Sequence, residues 1–509
     1  MQQDRLGPGV NRQIRVAIIG AGLGGVAAAV KLKSAGIDTF TVFEKADGAG
    51  GVWWHNSYPG CEVDVPSHTY SYSFMPYEWS GTHAKQCELR QYVADVIERF
   101  ELGAHFRYGT EVESAVWDDA AHSYTLLTGD GDAFEFDVCV SAVGLLSNPK
   151  LPDWPGIPGF KGPVFHTAQF DHSVDLTGKT VALVGTGSSA CQLGPAIAPV
   201  VKKLDVYQRE PGHVLPKKAR EFDPALRRRY GRFPILQKIE RLKQFRVGMR
   251  QAQALDVRSR RNAEVESYFH HYLAKTVTDP DTRAALTPAF PYGCKRPIFA
   301  STYYPMFNRD NVELIPHAVA EVTPGGLVDA TGTERDADVL VLCTGFQVSD
   351  LLATLRVTGT RGQDLHEVWA GEPWAFLGMT VPGFPNFLMM YGPNTNGLPS
   401  IIGYLETQAA TLVRMVTRLQ RGRALAYDTN HGLARRVDRW VQSELGRRLS
   451  AVSTGCRNYN FAGTGKNVGQ WPRSHISYRL AARLLTPWGL VARRHPARAD
   501  SPVATGAAR

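Results

Sequence analysis

The sequence predicts an α/β protein that carries one strand–turn–helix–strand unit twice, with a helical insertion in its second half. Three observations predict it. A short apolar run at residues 14–19 stops at a glycine-rich turn, and an alanine-rich stretch follows. The same order returns at residues 180–207. Residues 233–276 then space Ile235, Ile239, Leu242 and Met249 at helical intervals.

In the first unit, residues 14–19 (IRVAII) read as a buried parallel strand, 26–35 as a helix and 39–43 as a second strand. The turn between them is Gly20-Ala-Gly22-Leu-Gly24-Gly25. Gly20 permits the tight turn, Gly22 lets backbone approach a pyrophosphate, and Gly25 lets the helix pack closely on the strand. A pyrophosphate placed there meets the free N–H groups and dipole of the helix start. Glu44, ending the second strand, is placed to accept hydrogen bonds from a ribose. This is a Rossmann-like dinucleotide-binding pattern.

The second unit runs from a strand at 180–184 through Gly185-Thr-Gly187-Ser188-Ser189-Ala190 to a helix at 191–198 and a strand at 204–207. Arg209 follows, where a cation suits the 2′-phosphate of NADP and an acid suits NAD. Glu210 comes next and partly offsets that charge. Two nucleotide folds in one chain point to a redox relay in which NADPH delivers hydride to the flavin. A further strand is expected at 338–343, a Pro-rich linker at 148–158, and a disordered tail from Thr486. The expected layout is an FAD-binding domain in two parts (1–150 and 346–485) and an NADPH-binding domain in two parts (151–220 and 293–345). The helical insertion occupies 221–292 and the tail 486–509.

Composition narrows the classes. With 509 residues, two or three domains are expected. No run of eighteen apolar residues is present, and the first residues lack the apolar stretch of a secretory signal, so a cytoplasmic protein without a membrane span is expected. Cys61, Cys87, Cys139, Cys191, Cys294, Cys343 and Cys456 form no close pair. That argues against a metal site, a disulfide framework and a flavin-linked dithiol. The net charge is +9, and residues 226–262 alone hold twelve Lys and Arg against Glu240 and Asp256. Without a nucleic-acid motif or interleaved stacking aromatics, this reads as a solvated basic helix face rather than a nucleic-acid site.

The segment Phe160-Lys-Gly162-Pro-Val-Phe-His166-Thr-Ala-Gln-Phe170-Asp171 resembles the FxGxxxHxxxW fingerprint of type I Baeyer–Villiger monooxygenases and their flavin-containing relatives, with Phe170 in the final place. Residues 50–67, which include Trp53, Trp54, Tyr58 and Asp64, are similar to that family's flavin-side loop. Residues 294–312 look like its active-site arginine segment, 384–396 its flavin-covering loop, and 465–472 its C-terminal signature. The likeness spans about residues 15–485. Ser57 and Glu62 stand where the family often has arginine, Glu210 where threonine is common, and Gly397-Leu398-Pro399 departs from the usual loop.

The resemblance implies that NADPH reduces FAD, oxygen adds at flavin C4a, and the resulting peroxide attacks a ketone to give an ester or lactone. It implies Arg296 as the electrostatic catalyst, able to bridge peroxide, ketone oxygen and nicotinamide, with Asp64 as the carboxylate that holds it. Lys295 joins Arg209 as a 2′-phosphate ligand, and His166 serves as an interdomain hinge. Trp53, Trp54 and Trp471 either stack on nicotinamide, flavin or substrate or simply pack. Two alternatives stay open: an N- or S-oxygenating flavin enzyme, which would not need the Arg296–Asp64 pair, and a flavin-bound redox sensor, which would not need a second nucleotide fold. The ketone and the oligomeric state are not encoded in these motifs.

Overall fold

The computed structural model describes residues 12–348, 350–448 and 458–493. Both predicted units form. The first builds a five-stranded parallel sheet in the order Phe387–Met389, Val138–Ser141, Val16–Ile19, Phe40–Phe43, Phe106–Arg107. Its central strand is buried throughout, as a continuous apolar run requires when both faces are covered. Ile19 pairs in register with Phe43 and Ser141, so three strand ends meet where the glycine turn begins.

The second sheet is also five-stranded and parallel, ordered Val312–Ile315, Lys203–Tyr207, Thr180–Val184, Val339–Leu342, Val164–His166. The chain crosses between the sheets near residue 148 and again near residue 345, and the crossings lie side by side. Lys150 N–H donates to Gly345 O at 2.9 Å, and Gln347 N–H donates to Asn148 O at 3.0 Å. Thr344 Oγ1 donates to Lys150 O at 2.5 Å. The Pro-rich stretch is therefore half of a paired connection.

Three expectations change. The segment expected to be one helical run is broken into Pro234–Gln253 and Arg260–Thr276, preceded by Pro224–Arg232. Ile235, Ile239 and Leu242 lie exposed. The helix is turned the other way because polar groups anchor it: Gln237 Oε1 accepts from Tyr77 N–H at 3.0 Å, and Arg241 Nη1 donates to Ser71 O at 2.6 Å. The start of the expected tail is regular structure, since the helix His475–Gly489 runs through Thr486, and Leu490–Arg493 pairs antiparallel with Ala426–Thr429. Residues 494–509 lie outside the described part. Cys294 is disulfide-bonded, because separation along the chain does not limit proximity in space. Cys61, Cys87, Cys139, Cys191 and Cys343 are free, and Cys456 lies outside the described residues.

Candidate active site

Between the two sheets lies a cavity of about 2550 Å³, lined by both glycine turns, the loop around Asp64 and the segment around Arg296. That exceeds the ~300–1,000 Å³ of a typical small-ligand pocket, as a site for two dinucleotides and a substrate must.

The turns explain themselves atom by atom. Gly20 sits at φ +104° with its Cα face 2.7 Å, measured from an added Cβ, from Ala142 O. A Cβ on Gly25 would lie 1.9 Å from Gly20 O, so helix and strand could not close on any larger residue. In the second turn Gly185 has φ +119° and the same crowding against Cys343 O, at 2.3 Å. Gly187 has nothing within 4 Å of an added Cβ and borders the cavity. The helices Leu23–Ser34 and Ser188–Ile197 start at Gly22 and Gly187, and neither start is capped by a side chain. Both leave first-turn N–H groups for an anion, so the residues present fit two pyrophosphates. Glu44 is buried, with Oε2 accepting from Ala21 N–H at 2.7 Å and Oε1 from Ala46 N–H at 2.9 Å. It braces the turn and keeps lone pairs for a ribose hydroxyl.

On the cavity wall Arg296 Nη2 donates to Asp64 Oδ1 at 2.9 Å and Oδ2 at 2.8 Å. The arginine side chain is 41% accessible and the aspartate 15%. The adjacent carboxylate holds the guanidinium well above its usual range, with Tyr459 and Tyr391 adding to the effect against burial. Tyr391 itself is raised by burial and sits at φ +61°, a strained conformation on the loop facing the site.

Residues 13–233 match the family model described as Flavin-binding monooxygenase-like. A Baeyer-Villiger monooxygenase of Streptomyces coelicolor is 39% identical over 477 residues, which cover 93% of this chain and 92% of that one. The chain belongs to the Baeyer–Villiger monooxygenase family. A Baeyer-Villiger monooxygenase of Pseudomonas aeruginosa is 35% identical, covering 94% of this chain and 91% of its own. The solved cyclohexanone monooxygenase from Rhodococcus sp. Phi1 bound to NADP+ matches with TM-score 0.84 and 28% identity, covering 94% of this chain and 99% of that one. As a Baeyer–Villiger monooxygenase the chain is an FAD-dependent NADPH monooxygenase built on two Rossmann-like folds, and its substrate is a small molecule.

Ser57, Glu62 and Glu210, read from the sequence as departures from the family pattern, each hold a local partner. Glu62 faces the buried Lys217, Nζ to Oε1 2.7 Å, and the same ammonium donates to Val63 O at 2.5 Å. Burial lowers the Lys217 pKa and Glu62 partly restores it. Ser57 Oγ meets His172 Nε2 at 2.7 Å, joining the flavin-side loop to the end of the fingerprint. Lys295 is spent on Glu210, Nζ to Oε2 2.5 Å, while Arg209 stands exposed at the cavity rim.

Other predicted residues are placed less centrally. Trp53 is buried and its Nε1 donates to Tyr70 Oη at 3.1 Å; Trp54 lies under Arg90. Trp471 packs against Trp440 and Tyr478 and donates to Ser477 Oγ at 3.1 Å. Trp53 and Trp471 both pack and border the cavity. Phe160 is buried, and Gly162 lies against Asp338 O, 2.1 Å from an added Cβ. His166 is buried, accepts from Ala168 N–H at Nδ1, and is held toward the neutral form by burial. Its ring meets Phe346 edge-on beside the second crossing. Asp171 closes a turn on Ser173 away from the site.

Sequence reasoning missed Lys217 and Gln192. Gln192 Oε1 accepts from Tyr58 Oη at 3.0 Å and Nε2 donates to Glu62 O at 2.9 Å, tying the flavin-side loop to the helix behind the second turn. No local signal points to Lys217, because its partner Glu62 lies far away along the chain.

Proposed function

We propose that Arg296, held by Asp64, carries the insertion of one oxygen atom from O2 beside a ketone carbonyl, giving an ester or lactone. The observation behind this reading is a permanently charged, partly accessible guanidinium fixed by a carboxylate between the two nucleotide turns. FAD, with NADPH as reductant, supplies the oxygen activation when bound. Gly20, Gly22, Gly25 and Glu44 hold the FAD pyrophosphate and ribose; Gly187, Ser188 and Ser189 receive that of NADPH, with Arg209 and Lys295 reading its 2′-phosphate. Asp64 takes one guanidinium nitrogen, leaving further N–H donors for a ketone oxygen that gains negative charge as its carbonyl is attacked. Tyr391 borders the same cavity, and desolvation raises its phenol above the ordinary tyrosine range. His166, at the crossing, orients the folds rather than touching the reactants. The cytoplasm, where NADPH is the working reductant, is the expected setting.

Arg296→Ala tests the assignment. The variant is expected to keep FAD and to accept hydride from NADPH, since the flavin turn belongs to another segment. Ketone oxygenation is expected to fall by about 10²–10³, with hydrogen peroxide replacing product. Oxygenation at the parent rate and yield would reduce Arg296–Asp64 to a structural ion pair. An unchanged peroxide-to-product ratio together with faster sulfide or amine oxygenation would favour heteroatom chemistry.

A further inference from the structure

The helix His475–Gly489 borders a second cleft, of about 530 Å³, shared with the helices Ile402–Gln420 and Leu23–Ser34. Five cations line it: Lys31, Arg414, Arg418, Arg479 and Arg483. Its acid, Glu406, has both carboxylate oxygens occupied by Ser73, N–H at 2.5 Å and Oγ at 2.8 Å. Among the described residues no carboxylate pairs with any of the five. Burial, with repulsion from Arg418 and Arg483, holds Arg414 below its ordinary pKa. Like charges gathered in a cleft without a carboxylate partner create a positive potential that attracts anions.

The same helix presents an apolar ridge. Ile476, Leu480, Leu484 and Trp488 are 50, 54, 65 and 72% exposed, each four residues from the next. Tyr478, Ala482, Thr486 and Gly489 form the buried face. Arg479 and Arg483 therefore lie between the ridge and the cleft. Residues 494–509 hold one large aliphatic side chain, Val503, and cannot supply a cover for four. A second copy of a chain with net charge +9 would have to bring like-charged clefts together.

We propose that this face binds an anionic phospholipid surface. The ridge seats at the headgroup–acyl boundary, with Trp488 as its interfacial aromatic, and a lipid phosphate enters the arginine cleft. An amphipathic helix with arginines beside a Trp/Leu ridge has the composition for lying in the membrane plane, and the guanidinium fork matches phosphate geometry. Attraction to anionic lipid adds with each cation near the surface.

The test is co-sedimentation of the FAD-loaded enzyme with vesicles of phosphatidylcholine, with and without phosphatidylglycerol, at low and high salt. The enzyme is expected to sediment with the phosphatidylglycerol vesicles alone and to be released by salt. Arg479→Glu with Arg483→Glu, and separately Leu484→Ser with Trp488→Ser, should each weaken partition about tenfold or more while FAD content and oxygenation in solution stay at the parent level. Equal binding to both vesicle types, or binding that neither pair of substitutions changes, overturns the proposal. So does tight binding of inorganic phosphate or pyrophosphate in the cleft without vesicle binding, which would make the ligand a free anion. A ridge variant that alters solution mass but not vesicle binding would assign the face to a second copy of the chain.

Discussion

In the proposed reading, one carboxylate governs how the second nucleotide is met. Glu210 takes the ammonium of Lys295 at 2.5 Å, and that pairing holds its own pKa below the usual carboxylate value. A depressed carboxylate gives up its contribution only as pH falls through the folded value, so Glu210 stays ionised through neutral pH and acidification there does not free the lysine. A 2′-phosphate must compete with this acid for Lys295, whereas Arg209 is open to it. Glu210→Ala is therefore expected to lower KM for NADPH about two- to fivefold, the range an exposed ion pair supports, with NADH use little changed. The ratio of kcat/KM for the two cofactors is the measurement. A ratio unchanged from the parent would mean that Lys295 does not read the 2′-phosphate. Arg296 and Asp64 form the opposite case, in which the carboxylate serves the cation by keeping it charged and aimed.

At the scale of elements, the loop from Tyr58 to Asp64 is the joint between flavin side and nicotinamide side. Gly60 lies at φ +81°, and an added Cβ would sit 2.6 Å from Gln192 O and 3.2 Å from Ala196 Cβ. Gly60→Ala should cost about 1–3 kcal/mol in stability and shift Asp64 enough to raise peroxide release per turnover. Gly36→Ala is the control: it carries the same left-handed strain at φ +72° but nothing within 4 Å of the new methyl. If thermal melting and coupling fall no further in Gly60→Ala than in Gly36→Ala, the close approach to the helix is not what fixes the loop. This joint also marks how far the sequence could be read. The glycine turns were legible because Gly20, Gly25 and Gly185 each answer a backbone demand that a larger residue cannot meet. Arg296 and Asp64 were legible through resemblance, and their pairing across the chain needed the fold. Lys217 with Glu62, and Gln192 with Tyr58, join positions far apart in sequence, and nothing local announces them. Periodicity announced a helix near Ile235 but not its facing, because Gln237 and Arg241 make the anchoring contacts while the aliphatic stripe turns outward.

At the scale of the molecule, the flavin fold is completed by chain that arrives after the second fold is finished. Phe387–Met389 pairs in parallel with Val138–Ser141, Phe387 opposite Cys139 and Met389 opposite Ser141. The helix Ile402–Gln420 packs along Leu23–Ser34, the helix whose start is proposed to receive the flavin pyrophosphate. The glycine turn itself is closed by these late residues: an added Cβ on Gly24 would meet Met390 Cβ at 3.2 Å and Leu405 Cδ2 at 3.6 Å. The first 150 residues thus contain the complete fingerprint for FAD but not the walls that keep water from it. A chain ending at residue 345 would expose the edge of Val138–Ser141 and the face of Leu23–Ser34 that packs along Ile402–Gln420. Such a truncation is expected to purify without flavin, as judged by absorbance near the flavin bands relative to protein. Free FAD added in excess should not raise its melting temperature, whereas it should raise that of the flavin-stripped full chain by mass action. The second fold, with its five strands contained within residues 164–342, should persist in the truncated chain and still be stabilised by NADP+. Stoichiometric flavin in the truncated protein would show that the glycine turn and Glu44 suffice alone, and that the late strand and helix serve only packing.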